Sequence, residues 1–374
     1  MTGGCVVLAA GGTGGHIFPA QALAAELVAR GRQVAWCTDG RGRDLGGFGE
    51  APVHVISAAT MTGRSLIGRV AALGDIAIGV MQARGLLARL AARAVVGFGG
   101  YPSLPPLLAA GLSRLPRMIH EQNAVLGRAN RMLAGRVERI ATSFPDTIGL
   151  RDAAKVSVTG NPVRPAVAAF TGKGYVPPEG DEPVNLLVFG GSQGAEIMAA
   201  RLPLAVNLLP PALRRRLHVV QQARPGDVER VTGAYAGAGI EAEVASFFDD
   251  LPARMAWAHL VVARSGASTA AELIAIGRPA LLLPYPHAAD DHQTANAKHL
   301  EKAGAAWVYP DAEASPERLA ERLMALLARP AALEQAAAAA TGLGDAQAAS
   351  RLADMVDELA PANGQRDRLG RQAA

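Results

Sequence analysis

RSGASTAAELIAIGRPALLLPYPHAADDHQTAN, residues 264–296, contains one whole repeat of a parallel α/β sheet. Val261, Val262 and Ala263 close an apolar run, and Ser265, Gly266 and Ser268 make a small-residue turn. Helical character covers 269–276, until Gly277 and Arg278-Pro279 stop it. Leu281, Leu282 and Leu283 end at Pro284, which fits a short, fully buried parallel strand. A helix that begins straight after such a strand aims its N-terminal N–H groups past the sheet's carboxyl edge. That end carries partial positive charge and suits a diphosphate. Glu272 lies one turn inside, in reach of a ribose diol, and the loop from His287 to Gln293 offers amide and imidazole groups to a sugar. Each part has a plainer reading. Thr269-x-x-Glu272 matches a capping box, in which Glu272 ties down its own helix. Asp290-Asp291 reads as an N-cap with a charged first turn.

The same strand, glycine turn and helix recur. Apolar residues 5–10 lead into Gly11-Gly12-Thr13-Gly14-Gly15-His16. Pro19 falls in the first turn of a helix reaching about Arg30, and 34–38 is the second strand. The dinucleotide fingerprint G-x-G-x-x-G fits this loop poorly, because Ile17 stands at the last glycine position, although Asp39 ends the second strand. What remains is a backbone-rich loop with one imidazole at a helix N-terminus. The helix dipole discourages that imidazole from protonating, which suits a general base. Strands over 53–57 and 94–98 follow, the latter ending in Gly99-Gly100-Tyr101-Pro102-Ser103 before a helix over 104–112. The strand 118–120 runs into Glu121, Gln122 and Asn123, polar groups at a carboxyl edge where open α/β sheets bind ligands. Strands over 139–142 and 155–159 complete this half, and Gly160-Asn161-Pro162-Val163-Arg164-Pro165 reads as a hinge.

The second half restarts alike, with a strand over 185–189 and Gly190-Gly191-Ser192-Gln193-Gly194-Ala195. Strands over 218–221, 243–247 and 259–263 extend it. Phe248 precedes an Asp249-Asp250 cap, and Ser315-Pro316-Glu317 opens a late helix. Two doubly wound domains facing one another are expected. The divisions are 1–162, 163–340, a helix near 341–360 returning to the first domain, and a disordered basic tail over 361–374.

A chain of 374 residues, half of them hydrophobic, has material for two cores. A net charge of +4 is too mild for a nucleic-acid binder. Cys5 and Cys37 fall in apolar runs and read as core residues, with no disulfide framework or metal site. The first apolar run is too short for a signal peptide, and no apolar stretch of membrane-spanning length is free of charge. The segment 64–93 stands apart. Leu66, Ile67, Val70, Leu73, Ile76, Ile78, Val80, Met81, Leu86, Leu87 and Leu90 alternate there with Arg64, Arg69, Arg84, Arg89 and Arg93, against the single acid Asp75. An ordinary crossover helix accounts for part of this. The surplus of apolar positions reads as an element lying on an anionic membrane surface.

Six motifs in order, Gly11 through His16, Gly99 through Ser103, His120 through Asn123, Gly160 through Arg164, Gly190 through Ala195, and Arg264-Ser-Gly-Ala267 with Glu272, Gln293 and Asn296, resemble the MurG family of peptidoglycan glycosyltransferases. The resemblance implies a GT-B fold, α/β, with two facing Rossmann-like domains of doubly wound parallel sheet. It implies transfer of N-acetylglucosamine from UDP-N-acetylglucosamine to the muramoyl 4-hydroxyl of lipid I, with inversion, at the cytoplasmic face of the plasma membrane. Lipid II and UDP are the products. Carried over by motif, the donor contacts are Thr13, Gly14, Gly15, Asn123, Arg164, Ser192, Phe248 through its backbone, Ala267, Ser268, Thr269, Ala270, Ala271, Glu272 and Gln293. Where some members carry paired glutamines, this chain has His292-Gln293, which favours Gln293 for the sugar.

Inverting transfer needs a base for the acceptor hydroxyl and a grip on the departing UDP. His16 is the expected base, with Glu121 in reserve. Helix N-termini and glycine loops supply the grip, so no metal or other cofactor is expected to be required. Two rival classes are an NAD-dependent oxidoreductase and a non-catalytic protein of the membrane surface. Other transferases of this fold acting on lipid-linked acceptors share the donor half.

Overall fold

The first apolar run folds as β1 (Val6–Ala9), followed by β2 (Val34–Thr38), β3 (Val53–Val55), β4 (Ala94–Gly97), β5 (Arg117–Glu121), β6 (Arg139–Thr142) and β7 (Val156–Val158). The computed structural model describes residues 4–11, 14–40, 49–58, 66–191, 196–344 and 347–361, with the backbone alone over 66–70. These seven strands form one parallel sheet in the order β3-β2-β1-β4-β5-β6-β7. β1, β2 and β4 are buried along their whole length, as expected of strands covered on both faces. Strand order reverses between β1 and β4, whose ends lie in register with Ala9 opposite Gly97. That reversal is where such sheets bind ligands.

The chain divides into two units, residues 1–164 with 347–374, and residues 165–346. In the first, helix Ala348–Leu359 buries Leu352, Ala353 and Val356 in a core with Leu23, Leu27 and Trp36. Each large side chain so buried contributes about 1.5–3 kcal/mol. Ion pairs then fix the register of that helix. Arg32 reaches Asp357 at 2.5 Å, Arg30 reaches Asp354 at 2.6 Å, and Arg351 donates to the Thr159 carbonyl at 2.7 Å. Burial pushes the Cys5 thiol up to about 11 and the Cys37 thiol up to about 12, so both are inert core groups.

The second unit contains β8 (Val184–Phe189), β9 (Leu217–Gln222), β10 (Glu241–Ala245), β11 (Leu260–Ala263), β12 (Ala280–Leu282) and β13 (Ala306–Val308). They pair in parallel in the order β10-β9-β8-β11-β12-β13, so the reversal falls between β8 and β11. Leu186, Val188, Val219 and Val262 pack with Leu202 and Leu323 from the flanking helices.

Three local readings of the sequence are corrected. Helix Gly14–Ala29 begins at Gly14, so Pro19 sits in its second turn, where it removes the bond that would close on the Gly15 carbonyl. Helix Ala267–Ile276 is capped by Gly266, which places Thr269 inside it and rules out the capping box. Asp291 does cap helix His292–Lys302, but Asp290 and Asp291 both adopt left-handed backbone, φ 53° and 52°, and the Asp291 side chain makes no cap bond, so the cap is strained where a plain one was expected. Thr294 holds the turn by donating to Asp291 Oδ1 at 2.6 Å.

Segment 64–93 contains one helix, Leu66–Arg89. Ala72, Ile76, Ala83, Leu86 and Leu87 are buried at helical spacing, while Leu73, Ile78 and Met81 are exposed alongside Arg84 and Arg89. Its stretch Ala71–Arg89 is, by length and composition, long and apolar enough to cross a membrane. The buried stripe nevertheless makes it the packed crossover of the first sheet.

Candidate functional site

In the first unit the chain leaves β1 and enters helix Gly14–Ala29, which puts Gly14, Gly15 and half-buried His16 in its first turn. β4 ends at Gly99 and Gly100, both left-handed at φ 85° and 70°. A Cβ on Gly99 would lie 3.2 Å from the His16 ring, so glycine lets this turn lie against the imidazole. From the end of β5 come His120, Glu121 and Gln122, all buried, and then Asn123.

His16 Nδ1 lies 3.0 Å from Gln122 Oε1. Gln122 Nε2 lies 2.9 Å from His120 Nδ1 and 2.9 Å from the His120 carbonyl. His120 Nε2 lies 3.1 Å from the Gly160 carbonyl. His120 also packs on Phe98, with ring centroids 5.6 Å apart. Desolvation drives its pKa down to about 4. The Gly160 bond opposes that fall and the nearby His16 adds to it.

A pH dependence follows. Above about pH 6.5 the ring is neutral in both folded and unfolded chains and contributes no slope. Between 6.5 and 4 the unfolded chain takes a proton that the folded one refuses, so stability falls as pH falls, by about 3 kcal/mol in all. Urea unfolding at pH 7 and pH 5 measures this. The wild type should lose about 2 kcal/mol more than His120→Gln over that step, and equal losses would refute a neutral buried ring.

Glu121 is corrected as reserve base. Its Oε1 accepts from the Asn123 backbone at 3.0 Å and side chain at 3.2 Å, and its Oε2 accepts from Gly127 N–H and Asn130 Nδ2, both at 2.8 Å. A buried carboxylate filled by four donors fastens the loop and has no lone pair left for a substrate proton. Asn123 is thereby fixed to Glu121. The Arg164 guanidinium lies over the Phe18 ring, 4.2 Å from its centroid and two residues along from His16. Thr13 and Ser192 lie outside the described residues.

In the second unit Arg264 staples the ends of β11 and β12. It bonds Asp311 at 2.5 and 2.9 Å and the carbonyls of Leu283 and Pro284 at 2.9 and 3.0 Å. Ser265 Oγ donates to the Gln293 carbonyl at 2.8 Å, and Asn296 Nδ2 donates to the Ser265 carbonyl at 3.0 Å. The turn before helix Ala267–Ile276 is therefore rigid. Ala267, Ser268 and Thr269 form its first turn, whose N–H groups no helix carbonyl reaches. Ser268 Oγ is buried with no hydrogen-bond partner among the described residues. Ala270, Ala271 and Glu272 follow, all buried. Gln293 Oε1 accepts from the Tyr285 N–H at 3.0 Å, so its amide nitrogen is the end presented as a donor. Phe248 is covered by the Arg254 guanidinium at 4.2 Å, which Asp250 holds at 2.7 Å. His292 Nδ1 donates to the Ala289 carbonyl at 2.7 Å. Among the described residues no cluster of three or more His, Cys, Asp or Glu side chains is placed to hold a metal ion.

Sequence reasoning put Gln122 at the ligand edge without giving it a partner, and it missed the Arg264–Asp311 staple. The i, i+2 spacing of His120 and Gln122, which puts both on one side of an extended chain, was the available signal.

An imidazole at one switch point and an anion-ready helix end at the other define a nucleotide-sugar transferase of the GT-B fold. Family models agree. The glycosyltransferase family 28 N-terminal domain matches residues 6–142 and the family 28 C-terminal domain matches 185–356. A protein of Rhodospirillum centenum named UDP-N-acetylglucosamine--N-acetylmuramyl-(pentapeptide) pyrophosphoryl-undecaprenol N-acetylglucosamine transferase is 52% identical over 94% of this chain and 93% of its own. The protein of the same name from Brucella canis is 51% identical over 96% and 94%. The crystal structure of Acinetobacter baumannii MurG superposes with a TM-score of 0.79 at 31% identity, covering 95% of this chain and 99% of that one. The chain belongs to glycosyltransferase family 28 and, within it, to the MurG family.

Proposed function

We propose that this protein moves N-acetylglucosamine from UDP-N-acetylglucosamine to the muramoyl 4-hydroxyl of lipid I, giving lipid II and UDP. The observation that carries the reading is the helix end at Ala267, with Glu272 buried on its second turn, in a chain more than half identical to a transferase so named. In this reading the diphosphate lies on the backbone N–H groups of the first helical turn, Ala267 to Thr269, with Ala270 and Ala271 behind them. Glu272 takes the ribose diol, the Phe248 backbone meets the base, and the Gln293 amide N–H meets the sugar. Charge developing on the departing UDP is met by that helix end and by the glycine loop holding Ser192, so no metal or other cofactor is required. His16 takes the acceptor proton.

Product analysis with UDP-N-acetylglucosamine and a lipid I analogue tests the reading. The expected result is a β-linked disaccharide lipid and stoichiometric UDP, with a rate unchanged by EDTA. UDP release without a disaccharide would contradict it, and so would a chelator-sensitive rate restored by Mg²⁺.

Helix Leu66–Arg89 supplies the membrane contact in this reading. Exposed Leu73, Ile78 and Met81 enter the lipid interface while Arg84 and Arg89 meet anionic headgroups. The protein then works as a peripheral enzyme at the cytoplasmic face of the inner membrane. Sedimentation with phosphatidylglycerol vesicles should fall sharply on Ile78→Asp with Met81→Asp, and unchanged binding would remove the helix from this role.

A further inference from the structure

Two backbone carbonyls determine where the proton sits on His16. The Gly160 carbonyl only accepts, so His120 Nε2, 3.1 Å away, carries a hydrogen. The His120 ring is buried and neutral, which leaves its Nδ1 as a lone pair. Gln122 Nε2 meets that lone pair at 2.9 Å and the His120 carbonyl at 2.9 Å. Only an NH2 group satisfies two acceptors, so the amide cannot be turned round. Gln122 Oε1 therefore faces His16 Nδ1 at 3.0 Å and accepts from it. Nδ1 of His16 bears the hydrogen, and Nε2 carries the lone pair.

We propose that Gln122 and His120 are positioning residues that hold His16 in its Nδ1–H tautomer, so that Nε2 is the atom that removes the acceptor proton. This deepens the reading of His16 as the base and rests on it. The step balances. As the acceptor oxygen bonds the anomeric carbon, its proton passes to His16 Nε2. The bond from that carbon to the diphosphate oxygen breaks, and the electron pair leaves with UDP. Nδ1–H meanwhile stays bonded to Gln122 Oε1, which steadies the imidazolium. An amide thus takes the orienting place that a carboxylate holds in a serine-protease triad, without the carboxylate's charge.

The relay is closed to rearrangement. Gln122 and His120 are 1% and 0% exposed, so water cannot substitute for either partner. The turn at Gly99 and Gly100 lies against the His16 ring.

The test is a two-bond ¹H–¹⁵N correlation spectrum of ¹⁵N-histidine-labelled protein, read beside steady-state kinetics. His16 signals are assigned by their loss in His16→Ala. The wild type should show His16 as the Nδ1–H tautomer. Gln122→Met should show mixed tautomers and a kcat lower by about tenfold or more, short of the ~10²–10⁴-fold that loss of the base itself brings, with donor KM unchanged. His120→Gln, which still donates to Gly160 and accepts from Gln122, should recover activity relative to His120→Phe. If Gln122→Met does not fold, Gln122→Glu serves. A carboxylate beside the imidazole favours its protonated form, so the acid limb of the rate profile should move up by about one pH unit. A Gln122→Met protein with wild-type kcat or an unaltered tautomer, while His16→Ala is crippled, overturns the relay alone. A His16→Ala protein of full kcat overturns the base reading on which the relay rests.

Discussion

His16→Ala should lower kcat by about 10²–10⁴-fold, the usual worth of a positioned general base, while the affinity for UDP-N-acetylglucosamine stays within a factor of about two. The split follows from the separation of tasks in the sequence. His16 stands in the first turn of helix Gly14–Ala29, in the first unit, whereas the helix end proposed for the diphosphate, Glu272 for the ribose and Phe248 for the base stand in the second. Removing the imidazole leaves the helix end at Ala267 and the buried Glu272 intact. Initial rates at saturating lipid acceptor, together with calorimetric titration of the donor, separate the two quantities. Equal losses in both, or in neither, would remove His16 from the role of base. Glu121→Gln offers a contrast. Its carboxylate holds four donors, so the substitution should cost thermal stability as well as rate.

Glu272→Gln should show the reverse pattern. A hydrogen bond to an ionised group contributes about 1.5–3 kcal/mol, so donor affinity should fall by roughly 10- to 150-fold with a smaller change in kcat. The residue is 5% exposed on the second turn of helix Ala267–Ile276, and the cap of that helix is Gly266. A capping role therefore does not compete for the same carboxylate. The melting temperature should hold within a few degrees, because the amide keeps the volume of the acid. Donor binding at wild-type strength would leave Glu272 without a part in nucleotide recognition.

Much of this architecture is legible before any coordinates. The second strand, the strand at 139–142 and the helix over 104–112 fall where the residue pattern puts them, because glycine, proline or a polar run marks both ends of each. Gly277 stops its helix as a left-handed cap with φ 69°, donating to the carbonyls of Leu273 and Ile274. The misreadings have physical causes. Pro19 favours a first-turn position, but Gly14 and Gly15 are flexible enough to be drawn into the helix ahead of it. Thr269-x-x-Glu272 has the residue types of a capping box, yet the turn fixed by Ser265 and Asn296 starts the helix two residues earlier. The left-handed backbone at Asp290 and Asp291 is imposed by the loop around them, a tertiary effect that propensity does not encode.

The candidate site was legible as a set of residues and not as a circuit. His16, His120 and Gln122 are each visible as polar groups at strand ends. What joins them is contact across 106 residues from His16 to Gln122, and across 40 from His120 to the Gly160 carbonyl. No local pattern announces a backbone carbonyl as the end of a proton-orienting chain. The same limit applies to buried Arg264, whose half-buried partner Asp311 lies 47 residues on.

The account rests on a nucleotide sugar held by a helix end in the second unit. A crystal structure of the protein with UDP-N-acetylglucosamine tests that most directly. The expected map shows the diphosphate against the backbone N–H groups at the start of helix Ala267–Ile276, the ribose hydroxyls on Glu272, and no metal ion between protein and phosphate. Nucleotide density on any other edge of that sheet, or a diphosphate carried by a coordinated metal, would contradict it.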